Sequence, residues 1–182
     1  MSIANQQIGS MKMNEIGSSR GATGDLPYRN LRARALESIG LGGLAAGVLD
    51  ISDAIVLTLM NGGAPARMLQ GIASGLLGRA AYEGGLATAA LGLGLHFFIA
   101  TSAATVYFLA SRRLTLLLRQ PLICGVVFGL MWWALMYQVV LPITFGRPYT
   151  IPALPQLLNQ LGIHVLGVGL PIAFIAARSA RR

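Results

Sequence analysis

Residues 85–110 read GLATAALGLGLHFFIATSAATVYFLA, twenty-six positions without one Asp, Glu, Lys or Arg. A helix rises about 1.5 Å per residue and a bilayer core of about 30 Å needs about 20 apolar residues, so this stretch predicts a membrane-crossing helix. Three further runs qualify, Ser38 to Met60, Pro121 to Leu141 and Leu157 to Ala177, and nothing remains for a fifth. The sequence therefore predicts an all-α integral membrane four-helix bundle over residues 35–182, preceded by a polar N-terminal tail, residues 1–34.

Composition agrees with that class. Over 182 residues the chain is 54% hydrophobic and 11% charged, whereas a soluble domain carries charge on about a quarter of its residues. A formal charge of +8 would suggest nucleic acid in a soluble protein, but the arginines flank the apolar runs and leave no surplus basic patch. No nucleic-acid partner is expected; the lipid bilayer is. The same residues give direction, because Lys and Arg near span ends stay in the cytoplasm. Eleven of the fourteen lie in the tail (Lys12, Arg20, Arg29, Arg32, Arg34), the second loop (Arg112, Arg113, Arg119) and the C-terminus (Arg178, Arg181, Arg182). Only Arg67, Arg79 and Arg147 fall on the other side. Both termini are thus expected to be cytoplasmic. The tail, rich in Asn, Gln, Gly and Ser, lacks the basic start and apolar core of a cleaved signal peptide, and it buries too little apolar area to order by itself.

The loops differ in character. Loop three, Pro142 to Gln156, also contains Pro148, Pro152 and Pro155 and reads as an extended strap. Loop one, Pro65 to Gly78, sets Met68, Leu69, Ile72 and Leu76 on one helical face. At roughly 21 Å it is too short to span, so it reads as a short amphipathic helix, interfacial or re-entrant. Gly71 and Gly75, at GxxxG spacing, favour close packing there. Gly43 and Gly47 on the first span, Gly92 on the second, and Gly125 and Gly129 with Trp132 on the third are further helix-packing positions. Pro171 with Gly167 and Gly169 predicts a kink in the fourth.

Two Asp and two His fall inside the spans. Asp50 and Asp53 share the stripe of Gly43, Ala46, Gly47 and Ala54, so they face protein rather than lipid. A carboxylate near the bilayer centre costs several kcal/mol unless it is protonated, paired or hydrated. By helical rise Asp53 and His164 both lie roughly 10 Å deep, and Asp50 and His96 both roughly 15 Å deep. Two Asp and His pairs in one polar layer, with Arg67 of loop one in reach, would make a proton or ion path; the alternative is structural glue between helices.

Other chemistry finds less support. The single Cys124, inside an apolar run, leaves no disulfide framework and no cysteine-based metal cluster. Walker, HExxH, paired-cysteine and GxSxG patterns do not occur, so no catalytic residue, metal or cofactor is expected. Gly92 before His96 would admit a flat macrocycle beside an axial imidazole with His164 as second ligand, but the depths differ by about 6 Å. Ser74 with His164 would be an intramembrane serine dyad, for which four spans are few and further polar support is lacking.

Three stretches carry a family resemblance: the run from Pro65 through Arg67, Gly71 and Ser74 to Gly78, then Leu95-His96-Phe97-Phe98, then Gly162-Ile163-His164. Over Gly40 to Ala177 the chain resembles a group of uncharacterised four-span bacterial inner-membrane proteins and, more distantly, the YagU-like family. The resemblance implies a bacterial cytoplasmic membrane address and carries over no catalytic residue. Two readings of function follow. The first is a non-enzymatic helix-packing or accessory subunit of a membrane complex, associating with other subunits or with itself through its Gly and Ala stripes. The second is a small transporter or proton and ion pathway through Asp50, Asp53, His96 and His164, with a haem- or pigment-binding subunit as a remote third.

Overall fold

The structure, a computed structural model, describes Leu26 to Arg181, with side chains from Leu31. Most of the polar tail read from the sequence lies outside the described residues. Its last part departs from expectation: α1, Leu26–Leu36, is helical, because Leu, Arg and Ala are good helix formers. The chain divides into two units, residues 1–34 and 35–182, and the packing below is that of the second.

The described elements are all helical. A π turn, Glu37–Leu41, leads into α2, Gly42–Met60. Then come α3, Pro65–Leu77, and α4, Gly85–Ser111, with a short 3-10 turn, Gly78–Tyr82, between them. A single turn, α5, Leu116–Arg119, precedes α6, Pro121–Leu135, which continues through a π turn, Met136–Val140, into α7, Leu141–Phe145. Finally α8, Leu154–Ile163, runs through a π turn, His164–Gly169, into α9, Leu170–Ala180. Four helical stretches, Leu31–Met60, Gly85–Ser111, Pro121–Phe145 and Leu154–Ala180, are long and apolar enough to cross a membrane.

Two boundaries correct the sequence reading. The third stretch passes Pro142 and ends only at Phe145, where Gly146 takes a left-handed φ of 61°. The strap is accordingly shorter than expected, and the fourth stretch starts at Leu154. Proline normally breaks a helix because it lacks an N–H and its ring meets the carbonyl four residues back. Here the ladder has already shifted. The Leu141 N–H bonds the Met136 carbonyl, five residues back, immediately before Pro142. The same device precedes Pro171, where the Leu170 N–H bonds the Val165 carbonyl. The kink expected at Pro171 thus takes the form of a π turn, a feature frequent at functional sites.

Small residues pack the interior and large apolar ones face outward, the reverse of a soluble domain. Ala46, Ala103, Ala104, Ala173 and Ala176 are buried around Tyr107 and Ile172, while Val56, Phe98, Val106, Met131, Leu166 and Phe174 are exposed. The glycines explain how closely the helices approach. A β-carbon on Gly43 would stand 2.8 Å from the Thr101 Cα, and one on Gly47 would stand 2.6 Å from the Phe97 ring. One on Gly92 would overlap the Leu69 carbonyl of α3, and one on Gly75 would stand 2.7 Å from Thr144. One on Gly129 would overlap the His164 carbonyl, and one on Gly169 the Gly125 carbonyl. Gly71, by contrast, has only ordinary contact, 3.6 Å from the Tyr82 hydroxyl.

The two ends of this assembly differ. Where the first stretch begins and the fourth finishes, the Ser38 and Ser179 hydroxyls are buried and 2.7 Å apart. Nearby the Tyr107 hydroxyl donates to the Leu117 carbonyl at 2.9 Å. That end is sealed by side chains and hydrogen bonds. The opposite end, where α2 meets α3 and where α8 begins, is open.

Candidate functional site

From the open end a cavity of about 810 Å³ runs between the four long stretches, with α3 closing one side. Its mouth is marked by Met60, Asn61, Met68 and Pro155, its floor by Ala46, Ala100, Trp132 and Val168. From Asn61 to Ala46 is about 22 Å by helical rise, so the cavity reaches well into the layer the helices form.

Asp50, Asp53, His96 and His164, singled out in the sequence, all line this one space. Helical spacing brings them there: Asp50 and Asp53 stand three positions apart on α2, and His96 projects from α4 toward the same face. The His96 Nε2 lies 2.9 Å from the Gly47 carbonyl, and since a carbonyl can only accept, Nε2 carries the hydrogen. In the neutral ring Nδ1 is then a bare lone pair, and it faces Asp50 Oδ2 at 3.9 Å. Two acceptors face each other unless a proton sits on one of them. At that distance no hydrogen bond joins them, and the contact becomes an ion pair only when the ring carries a second proton.

The second pair suggested by depth is not formed. Asp53 Oδ2 instead accepts from the Asn159 amide at 2.8 Å, because Asn159 on α8 stands directly opposite it. His164, at the start of the π turn, donates Nδ1–H to the Gln160 carbonyl at 2.9 Å. The residue is 8% exposed, yet its Nε2 has no hydrogen-bond partner among the described residues. Every fully sealed polar side-chain atom there has a partner, so this nitrogen opens into the cavity. Asp50 lies within electrostatic reach of His164 as well as of His96 and Asp53.

An aromatic group closes the wall between α6 and α8. Tyr137 lies edge-on to His164, with centroids 5.8 Å apart, and to Tyr149 of the strap at 5.5 Å. The Tyr149 hydroxyl donates to Gln160 Oε1 at 3.1 Å, and the Trp133 indole reaches the same oxygen at 3.5 Å. Tyr137, Tyr149, Asn159 and Gln160 were not among the candidates. Their only sequence signal is amide and phenol groups in the outer turns of apolar helices, for Tyr137, Asn159 and Gln160, and on the strap, for Tyr149.

The remaining candidates lie elsewhere. Arg67 does not line the cavity; its guanidinium stacks over Tyr82 at 4.8 Å. No lysine or arginine contributes to the lining. Gly71 touches the cavity's edge, whereas Gly43, Gly47, Gly75, Gly92, Gly125 and Gly129 serve contacts within the chain. The room beside Gly92 is filled by α3 backbone, leaving none there for a flat macrocycle. The Ser74 hydroxyl donates to its own helix, to the Gly71 carbonyl at 2.7 Å, and lies outside the cavity. Among the described residues no three His, Cys, Asp or Glu side chains converge to hold a metal ion. Compared with protein-family models, curated proteins and solved structures, the chain finds no match.

Proposed function

We propose that this chain is a multi-pass protein of a bacterial cytoplasmic membrane that carries protons through the Asp50 and His96 pair, as a small transporter. An apolar exterior around a small-residue interior supports insertion in lipid. The distribution of basic residues supports cytoplasmic termini, which puts the open mouth on the outer face.

One observation carries the functional reading: four Asp and His side chains from three of the long stretches line a single deep cavity that has no basic side chain other than its two histidines. Burying two carboxylates costs stability, and scattered structural glue gives no reason to gather them around open space. The accessory-subunit reading draws on glycine stripes left for a partner. Most of those glycines are occupied by contacts within the chain, which favours the cavity over the stripes as the seat of function. Because the opposite end is closed, the cavity is reached from one face, which supports a carrier rather than an open channel.

Reconstituted liposomes with an imposed pH gradient test this. Wild-type protein should give a proton flux that the Asp50→Asn, His96→Gln double variant abolishes while keeping its helical content. No flux above empty liposomes under any gradient, or an undiminished flux in the double variant, would overturn it.

A further inference from the structure

We infer that the cavity binds an organic monocation with an apolar body, an amine or quaternary ammonium of drug size, held beside Asp50. The inference rests on reading the cavity as a cation site and adds the class of ligand. Three observations converge.

The first is charge. Asp50 and Asp53 are the only acidic groups in the lining, and His96 and His164 are its only basic ones. The carboxylates lie 3.9 Å from His96 in one case and on the neutral amide of Asn159 in the other. Neither is matched by a permanent cation, so an incoming positive charge meets an incomplete counter-charge. His164 Nε2, on a side chain more than nine-tenths buried, opens into the same space without a partner. It is an acceptor for an ammonium N–H.

The second is the wall. Most of the lining is apolar, including Leu57, Ile72, Ile99 and Val140. A Ca2+ or Mg2+ ion would need about six oxygens around it and a Zn2+ ion at least three His, Cys, Asp or Glu ligands, and among the described residues no three such side chains converge. Hydrated ions have no use for apolar walls, whereas the body of an organic cation does. Trp132, Tyr137 and Phe145 line the cavity, and aromatic rings attract such cations. Met60, Met68 and Met136 also line it, and flexible thioethers suit ligands of varied shape.

The third is size. About 810 Å³ lies within the range of about 300–1,000 Å³ typical of small-molecule sites and far exceeds the room needed for a proton relay.

Charge balance specifies the exchange. When a monocation settles beside Asp50, the proton carried by Asp50 or His96 leaves to the open face, and the charge of the cavity is unchanged. The groups that face Asp50 and bear on that step are Asp53 from α2, His96 from α4, Tyr137 from the third stretch and His164 from the fourth. α3 contributes none to the lining.

Tetraphenylphosphonium tests the class, with tetraphenylborate, nearly the same shape and of opposite charge, as control. Equilibrium dialysis of the purified full chain in detergent, against empty micelles, should show saturable binding of the cation at one site per chain. In weakly buffered solution about one proton should be released per cation bound. Tetraphenylborate should bind at least tenfold more weakly, and Asp50→Asn should weaken the cation at least tenfold and abolish proton release. Arg67→Ala, outside the cavity, should leave both unchanged and so controls for handling. Equal uptake of the two probes, or binding indifferent to Asp50→Asn in a variant that keeps its helical content, would overturn the inference. Proton flux in liposomes without phosphonium binding would sink the ligand class alone. Phosphonium binding without flux would sink the transport reading alone.

Discussion

If one proton is shared between Asp50 and His96, neutral substitutions should not behave independently. With the Nε2 hydrogen committed to Gly47, the Nδ1 lone pair of neutral His96 can accept from the amide that Asp50→Asn introduces, so this substitution keeps a satisfied contact. His96→Gln does not: the new amide N–H takes over the Gly47 carbonyl and its oxygen is left against the Asp50 carboxylate. Combining the two substitutions restores a donor opposite an acceptor. At 3.9 Å and an effective dielectric constant of about 20, the ionic form of the pair attracts by about 4 kcal/mol. Desolvation offsets part of that, leaving a coupling of about 2 kcal/mol, within the range of about 0.5–3 kcal/mol found for contacting residues. We expect His96→Gln to lose about 2–3 kcal/mol and Asp50→Asn less than about 1 kcal/mol, with the double variant more stable than His96→Gln alone by about 2 kcal/mol. Reversible unfolding in mixed micelles, titrated with dodecyl sulfate and followed by circular dichroism, gives each value. Losses that add to within about 0.5 kcal/mol would show that no proton is shared.

Three further outcomes are expected. With Cys124 replaced, single cysteines at the exposed positions Arg113 and Arg181 should resist a membrane-impermeant maleimide in intact cells while one at Thr150 reacts; labelling at the first two would invert the topology. Gly43→Leu and Gly47→Leu should each lower the thermal midpoint in detergent well below that of Val56→Leu, because they push on Thr101 backbone and the Phe97 ring while Val56 is 53% exposed; overpacking costs about 1–3 kcal/mol or more, and equal losses at all three sites would remove the argument. Tyr149→Phe should cost about 0.5–1.5 kcal/mol by losing its bond to Gln160, and increased proteolysis of the strap at Arg147 would report it, whereas unchanged cleavage would show that the bond does not hold the strap.

The spans and their polar content were legible because both rest on large energies. An apolar run of twenty residues and a carboxylate among them are each costly to place otherwise, so Asp50, Asp53, His96 and His164 stood out without any structure. Their partners did not. Asn159, Gln160 and Tyr149 are uncharged, lie within two turns of a span end, and look like ordinary loop or interface residues until α8 sets Asn159 opposite Asp53. Depth matching found the His96 contact but misassigned that of Asp53, because rise along a helix says nothing about which face a neighbour presents. By the usual rule Pro142 and Pro171 mark a boundary and a kink. Bonds reaching five residues back, at Leu141 and Leu170, absorb both, and no residue preference announces that shift.

The sealed end has an electrical consequence. In a bilayer, water and ions filling the cavity would carry the potential of the open face down to its floor, so the membrane voltage would fall mainly across the closed part. That part, from Ala46 to the Ser38 and Ser179 contact, is about 12 Å thick by helical rise. Each elementary charge crossing the whole voltage gains or loses about 2.3 kcal/mol per 100 mV. A charge moving between the outer solution and Asp50 would do little of that work, and one passing the Tyr107 and Ile172 layer would do nearly all of it. Loading from the open face would therefore be almost indifferent to membrane potential, and voltage would act on the step that opens the seal.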